Sequence, residues 1–131
     1  MNFINTGVPH VVIFTEGLAK LDITDIAPLL RYHKFFMPRG ANVNFIEVLD
    51  SNSLRIRTYE RGVEDETLAC GTGSVAASLI FALKANLRDQ VNVHTQSDEV
   101  LKVYFDKEGN EFNEVWLEGK ARIVYGGVYY V

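Results

Sequence analysis

The sequence predicts an α+β fold: a mixed or antiparallel β-sheet wrapped around one central apolar helix. Three observations predict it. A single long apolar run, Val75 to Ala85, has few breakers and is built of good helix formers such as Ala76, Ala77, Leu79, Ala82 and Leu83. Several short β-branched or alternating stretches flank it, separated by Gly, Pro and Asn. Their order does not alternate strictly between strand and helix, which argues against a doubly wound parallel sheet.

In chain order, Asn5 to His10 reads as a loop, since Gly7 and Pro9 punctuate it. Val11-Val12-Ile13-Phe14 is continuous and β-branched, a buried strand. Thr24 to Tyr32 reads as a short helix with Thr24 as N-cap; Pro28 fits only within the first turn, and Ile26, Leu29 and Leu30 are core residues. Phe35-Phe36-Met37-Pro38-Arg39-Gly40 is a loop with apolar anchors. Asn42 to Val48 is a strand with Asn42 and Asn44 on one face. Asn is depleted in strands, so the pair reads as polar lining of a cleft or a strand end, or as an exposed edge. Asp50 to Ser53 is a turn, and Leu54 to Tyr59 is the hairpin partner, with Arg55 and Arg57 on its solvated face. The acidic loop Glu64-Asp65-Glu66 is read as solvated.

The central helix begins at or just after Cys70 and stops at Asn86. Strands follow at Val91–Thr95, Leu101–Phe105, Val115–Gly119 and Ala121–Tyr125, for six or seven in all. His33 and His94 have no chemical companions in sequence and read as structural or surface residues.

The helix entry carries the chemistry. The first amides of a helix lack intrahelical acceptors, and the peptide dipoles add partial positive charge there. An anion can rest on them, and Gly71 and Gly73 let it approach the backbone. The same field favours a thiolate in general. The turn Cys70-Gly71-Thr72-Gly73 therefore presents a nucleophile or base beside a carboxylate cradle. A lone cysteine is more often an inert core residue. The flanking glycines and the upstream Glu60-Arg61 favour the functional reading.

The bounds are simple. At 131 residues, 47% of them hydrophobic, the chain makes one domain with a real core. A net charge of −4 leaves no basic face for nucleic acid. One cysteine forms no internal disulfide, which fits a reducing compartment. No apolar run spans a bilayer, and Met1 to Gly7 lacks the basic and apolar regions of a signal peptide. A cytoplasmic protein is expected.

Four segments taken together resemble the C-terminal half of diaminopimelate epimerase: Thr6-Gly7-Val8-Pro9-His10, Arg39 to Phe45, Tyr59-Glu60-Arg61-Gly62-Val63, and Glu66 to Gly73. They come in that family's order and span most of the chain. The resemblance implies inversion at one α-carbon of diaminopimelate, L,L to meso, without pyridoxal phosphate or metal, in lysine and peptidoglycan precursor synthesis. Two cysteines face each other across the substrate in that family, one removing a proton as thiolate and the other returning one as thiol. Cys70 is then one of the pair. Glu60 and His10 are the polar partners that adjust thiol protonation. Arg61 and Asn42 hold the distal end of the diamino acid, and Gly71 and Thr72 donate backbone N–H groups to the reacting carboxylate. Val8 departs from an Asn that helps bind the distal group, and the loop at Glu64-Asp65 is one residue longer than usual, an insertion expected to be tolerated on the surface.

That family's enzyme has two similar halves with the site between them. The first half, with its own Cys-Gly-Asn-Gly turn, has no counterpart in this sequence. Residues 1–131 are thus expected to act as a half-enzyme, inactive alone. Its tail, residues 126–131, is expected to dock on the missing half, to fray, or to drive self-association through the tail or the exposed cleft face. Two alternatives remain: another isomerase of the same fold group, proline-racemase-like or phenazine-biosynthesis-like, and a non-catalytic carboxylate-binding or assembly module. Cys70 counts against a phenazine-type isomerase. Glu60-Arg61 with Asn42 count against a proline racemase, because they suit a charged distal end.

Overall fold

The alternating stretches assemble into one eight-stranded mixed sheet. The computed structural model describes residues 1–131. The chain runs β1 (Asn2–Asn5), β2 (Pro9–Phe14), α1 (Ile23–Arg31), β3 (Asn42–Asp50), β4 (Ser53–Glu60), β5 (Asp65–Thr67), α2 (Gly71–Ala85), β6 (Gln90–His94), β7 (Val100–Glu108) and β8 (Glu111–Glu118). In space the order is β1-β2-β3-β4-β6-β7-β8, with β5 on the C-terminal half of β4. Only β2–β3 and β4–β6 pair parallel. These are the two connections that contain α1 and α2, because parallel neighbours need a crossover.

Strand alternation sends side chains to two faces, and each face meets one helix. Val12, Ile46, Leu54 and Ile56 point one way and pack with Ala76, Ala77, Ile80 and Phe81 of α2. Val43, Phe45 and Tyr59 point the other way and pack with Ile23 and Ala27 of α1 and with Leu18. Helix α2 is buried from Gly73 through Ala82 except at the half-buried Val75, as a helix apolar nearly all round should be. It stops at Asn86, which adopts the left-handed conformation (φ 53°) expected of a C-terminal stop.

Several expectations are corrected. Helix α1 is capped by Asp22, whose carboxylate accepts from the Asp25 amide at 3.4 Å and the Thr24 hydroxyl at 2.8 Å; Thr24 is inside the helix. Pro28 lies past the first turn. The carbonyl it leaves unpaired is that of Thr24, an exposed residue that water can satisfy. Ile26 and Leu29 are exposed; Ile23 and Ala27 carry the buried stripe. Of the apolar anchors, Phe35 and Met37 are exposed, and only Phe36 is half-buried, stacked on Phe3 with ring centroids 5.4 Å apart. Strand β1 escaped notice because Asn2 and Asn5 disguise it. Ala121–Tyr125 is not a strand: residues 119–131 form no regular element and are exposed throughout. The β-branched residues there pair with no strand, although β8 leaves one edge of the sheet free. On β8, Trp116 is exposed as well.

The charged residues are more tied down than their pattern suggested. Arg57 is nearly buried, not solvated. It forks onto both oxygens of Glu66 at 2.7 Å and donates to the carbonyls of Leu18 at 2.9 Å and Leu21 at 2.7 Å. Glu66 is thus not a free solvated carboxylate but the anchor of β5. Glu64 accepts from Arg31 at 2.7 Å and from the Tyr32 hydroxyl at 2.7 Å. The Glu64-Asp65 loop does lie on the surface, but these contacts hold it. Arg31 also packs against Gly40, where φ is +68° and a Cβ would collide with the guanidinium. Removing Glu66 strands the Arg57 charge, while the two carbonyls remain as acceptors. Glu66→Ala is therefore expected to cost about 3 kcal/mol, the low end for broken buried pairs, read by urea unfolding.

Candidate active site

The α2 side of the sheet turns polar at one end. His10 and Asn42 are register partners on β2 and β3, Asn44 faces Thr58 on β4, and Glu60 follows two positions on. Alternation puts all five on the face that carries Val12, Ile46 and Ile56 further along. The exposed-edge reading of Asn42 and Asn44 is therefore wrong: β3 is an interior strand, and both residues are buried.

Cys70 is the N-cap of α2. Its sulfur accepts from the Gly73 amide at 3.4 Å, the place a Ser or Asp oxygen takes in an ordinary cap. The Thr72 hydroxyl lies 3.6 Å from the sulfur and 3.1 Å from His10 Nε2. Asn44 Nδ2 in turn lies 3.1 Å from His10 Nδ1 and donates to the Val11 carbonyl at 2.9 Å, while Asn44 Oδ1 accepts from Thr58 at 3.0 Å. The Ser74 amide and hydroxyl both donate to the Cys70 carbonyl at 2.9 Å. The amides of Gly71 and Thr72 donate to no group of the chain, so two N–H groups stand open beside the thiol. Cys70 is nearly buried, but Ala69 and Thr72 next to it are exposed. The buried sulfur thus has polar neighbours, the Thr72 hydroxyl and the Gly73 amide, and lies beside exposed residues.

The expected residues are brought together unequally. Cys70, Thr72 and His10 form one connected chain. Asn42 holds the turn by accepting from the Arg61 amide at 2.6 Å, and the Arg61 side chain reaches the Arg39 carbonyl at 3.5 Å. No hydrogen bond joins the Glu60 carboxylate to Cys70 or His10; only the Glu60 carbonyl is engaged, by the Glu64 amide at 2.8 Å. Thr58, and Thr6, which donates to the Thr72 carbonyl at 3.2 Å, were not singled out. In sequence Asn44 reads as cleft lining, a strand end or an exposed edge, on its alternation with Asn42. No three His, Cys, Asp or Glu side chains converge as metal ligands. No helix is long and apolar enough to cross a membrane.

Burial, and secondly the Arg61 charge, hold the His10 pKa down from 6.5 to about 4. The unfolded chain therefore binds a proton that the folded chain refuses. Stability from this group is complete above pH 6.5 and is lost as pH falls toward about 4. The expected loss is about 3 kcal/mol at most. Glu64, held down to about 2 first by the Gly62 amide, loses its contribution in a lower window, between 4.5 and about 2. Urea unfolding of wild type and His10→Gln across pH 7.5 to 4 isolates the histidine slope, which the variant should lack.

The family model described as diaminopimelate epimerase matches residues 2–124. The diaminopimelate epimerase of Aquifex aeolicus is 43% identical over 126 residues, covering 95% of this chain and 44% of the relative. That of Chlorobaculum tepidum is 45% identical over 127 residues, covering 96% and 48%. The chain thus spans about half the length of the curated relatives it matches. In fold it is similar to a predicted epimerase from Pseudomonas aeruginosa (TM-score 0.58, 15% identity, 78% of this chain and 34% of that one). It is also similar to a PhzF-family phenazine biosynthesis protein of Bacillus anthracis (TM-score 0.55, 20% identity, 86% and 35%). Matched by the family model along nearly its whole length, and by relatives 43% and 45% identical, the chain belongs to the diaminopimelate epimerase family.

Proposed function

We propose that this chain supplies one half of a cofactor-independent epimerase site that interconverts L,L- and meso-diaminopimelate in the cytoplasm. The observation that carries the reading is the Cys70 turn: a thiol at the N-terminus of α2, with two unengaged amides, Gly71 and Thr72, beside it. A substrate carboxylate seated on those amides holds its α-carbon next to the sulfur. Charge that develops as the C–H bond breaks spreads into that carboxylate, where the amides and the helix dipole stabilise it. Cys70 as thiolate takes the α-proton, and a second acid on the opposite face returns one. Arg61 and Asn42 hold the distal end of the diamino acid, and His10 with Glu60 sets the thiol's protonation.

Inversion needs carriers on both faces, and residues 1–131 contain one cysteine. The opposite carrier comes from a first-half polypeptide, and the exposed residues 126–131 dock on it. The test is exchange of the substrate α-proton in deuterated water. It is run with this chain alone, with a first-half polypeptide cut from the Aquifex aeolicus relative, and with both. Exchange only in the mixture, abolished by Cys70→Ala, is expected. Brisk exchange by the chain alone overturns the half-site reading. Substrate binding without exchange in any mixture favours a carboxylate-binding module.

A further inference from the structure

We propose that Asn44 is a positioning residue that fixes the tautomer of His10 and, through it, turns the Thr72 hydroxyl toward Cys70. The inference rests on Cys70 being the reactive group of the proposed site. Asn44 is 0% exposed and cannot exchange partners with water. Its Nδ2 lies 2.9 Å from the Val11 carbonyl, an obligatory acceptor, so the atom there must be the amide nitrogen. The second hydrogen on that nitrogen is left for His10 Nδ1 at 3.1 Å, which must accept it. Asn44 Oδ1 is free to accept from Thr58 at 3.0 Å, so every polar atom of the amide is used in one orientation only.

A neutral imidazole whose Nδ1 accepts carries its proton on Nε2. Nε2–H then donates to Thr72 Oγ1 at 3.1 Å. With the ring donating to it, the Thr72 hydroxyl proton is not taken by His10 and is available to Cys70 Sγ at 3.6 Å, which as a thiolate can only accept it. The directions of the Asn44–His10 and His10–Thr72 hydrogen bonds are thus set by one backbone carbonyl of β2, and the hydroxyl proton is left for the sulfur. Reversing the amide would set two oxygens against each other at Val11 and turn the hydroxyl away from the sulfur. Asn44 touches neither the sulfur nor the open amides, so its effect on them passes through the ring and the hydroxyl.

The test reads the ring nitrogens of His10 directly by ¹⁵N NMR of the full chain at pH 7.5, with signals assigned by difference against His10→Gln. The expected wild-type spectrum shows a protonated Nε2 and an unprotonated Nδ1. Asn44→Asp replaces the donor by an acceptor, so its spectrum should show Nδ1 protonated. Asn44→Ala removes the donor, so its shifts should lie between the two tautomers. A wild-type ring protonated on Nδ1, or a ring unchanged in folded Asn44→Asp, overturns the assignment. Should the aspartate variant fail to fold, the wild-type spectrum still decides. Because no substrate takes part, this result stands apart from the exchange experiment: exchange can fail while the tautomer holds, and the reverse.

Discussion

Cys70→Ala is expected to lower α-proton exchange by the assembled two-half enzyme by about 10²–10⁴-fold, the range for losing a positioned acid or base. KM should change far less, because the amides of Gly71 and Thr72 and the Arg61–Asn42 pair remain. A fall in kcat and kcat/KM together marks an interaction made only in the transition state. Folding should be little affected. The sulfur caps α2 with one 3.4 Å bond from Gly73, and losing a cap costs about 1 kcal/mol. Cys70→Ser should keep the cap and still lose the activity, since a hydroxyl is a far weaker acid and base partner than a thiol at neutral pH. Retained exchange in either variant would remove Cys70 from the chemistry while leaving the fold assignment untouched.

The second large effect is on stability. Gly73→Ala is expected to cost about 2–4 kcal/mol. A Cβ at Gly73 would lie 2.5 Å from Asn44 Oδ1 and 3.2 Å from Cys70 Sγ. Alanine is the better helix former by about 1 kcal/mol, so on propensity alone the change would stabilise. The collision outweighs that gain because Asn44 has nowhere to go: Val11, His10 and Thr58 hold it inside the protein. Moving it leaves buried polar groups unpaired, each costing about 1–3 kcal/mol. The melting temperature should fall by roughly 10 °C. Gly71→Ala is the control. Its Cβ meets only the Leu117 Cδ2 methyl at 3.1 Å, the far end of a flexible side chain. Its unfolding midpoint should stay close to that of the wild type.

What could be read from residues alone divides along a physical line. The helix α2 and strands β2, β3, β4, β6 and β7 announced themselves because their burial is periodic or continuous. The Cys70 turn stood out because Gly-Thr-Gly before an apolar run has few other uses. Strand β5 stayed hidden because Asp65-Glu66-Thr67 is acidic, and its ladder with β4 is reinforced by an ion pair with Arg57, a residue nine positions back. Arg57 itself looked solvated because alternation reports which face a side chain takes, not whether a helix covers that face. Asn44 was visible as an oddity in a strand, but its partners come from β2 and β4, and only the sheet register brings them together. Ala121–Tyr125 shows the converse error: strand-like composition in a segment that pairs with no strand.

The indole of Trp116, the single tryptophan of the chain, is 65% exposed on β8. Its fluorescence is therefore a poor thermometer of the interior: the core can melt with little change in emission. It is a good sensor of coverage instead. Anything that settles over β8 dries the ring and moves its emission to shorter wavelength, so a plain spectrophotometric titration reports association without any label.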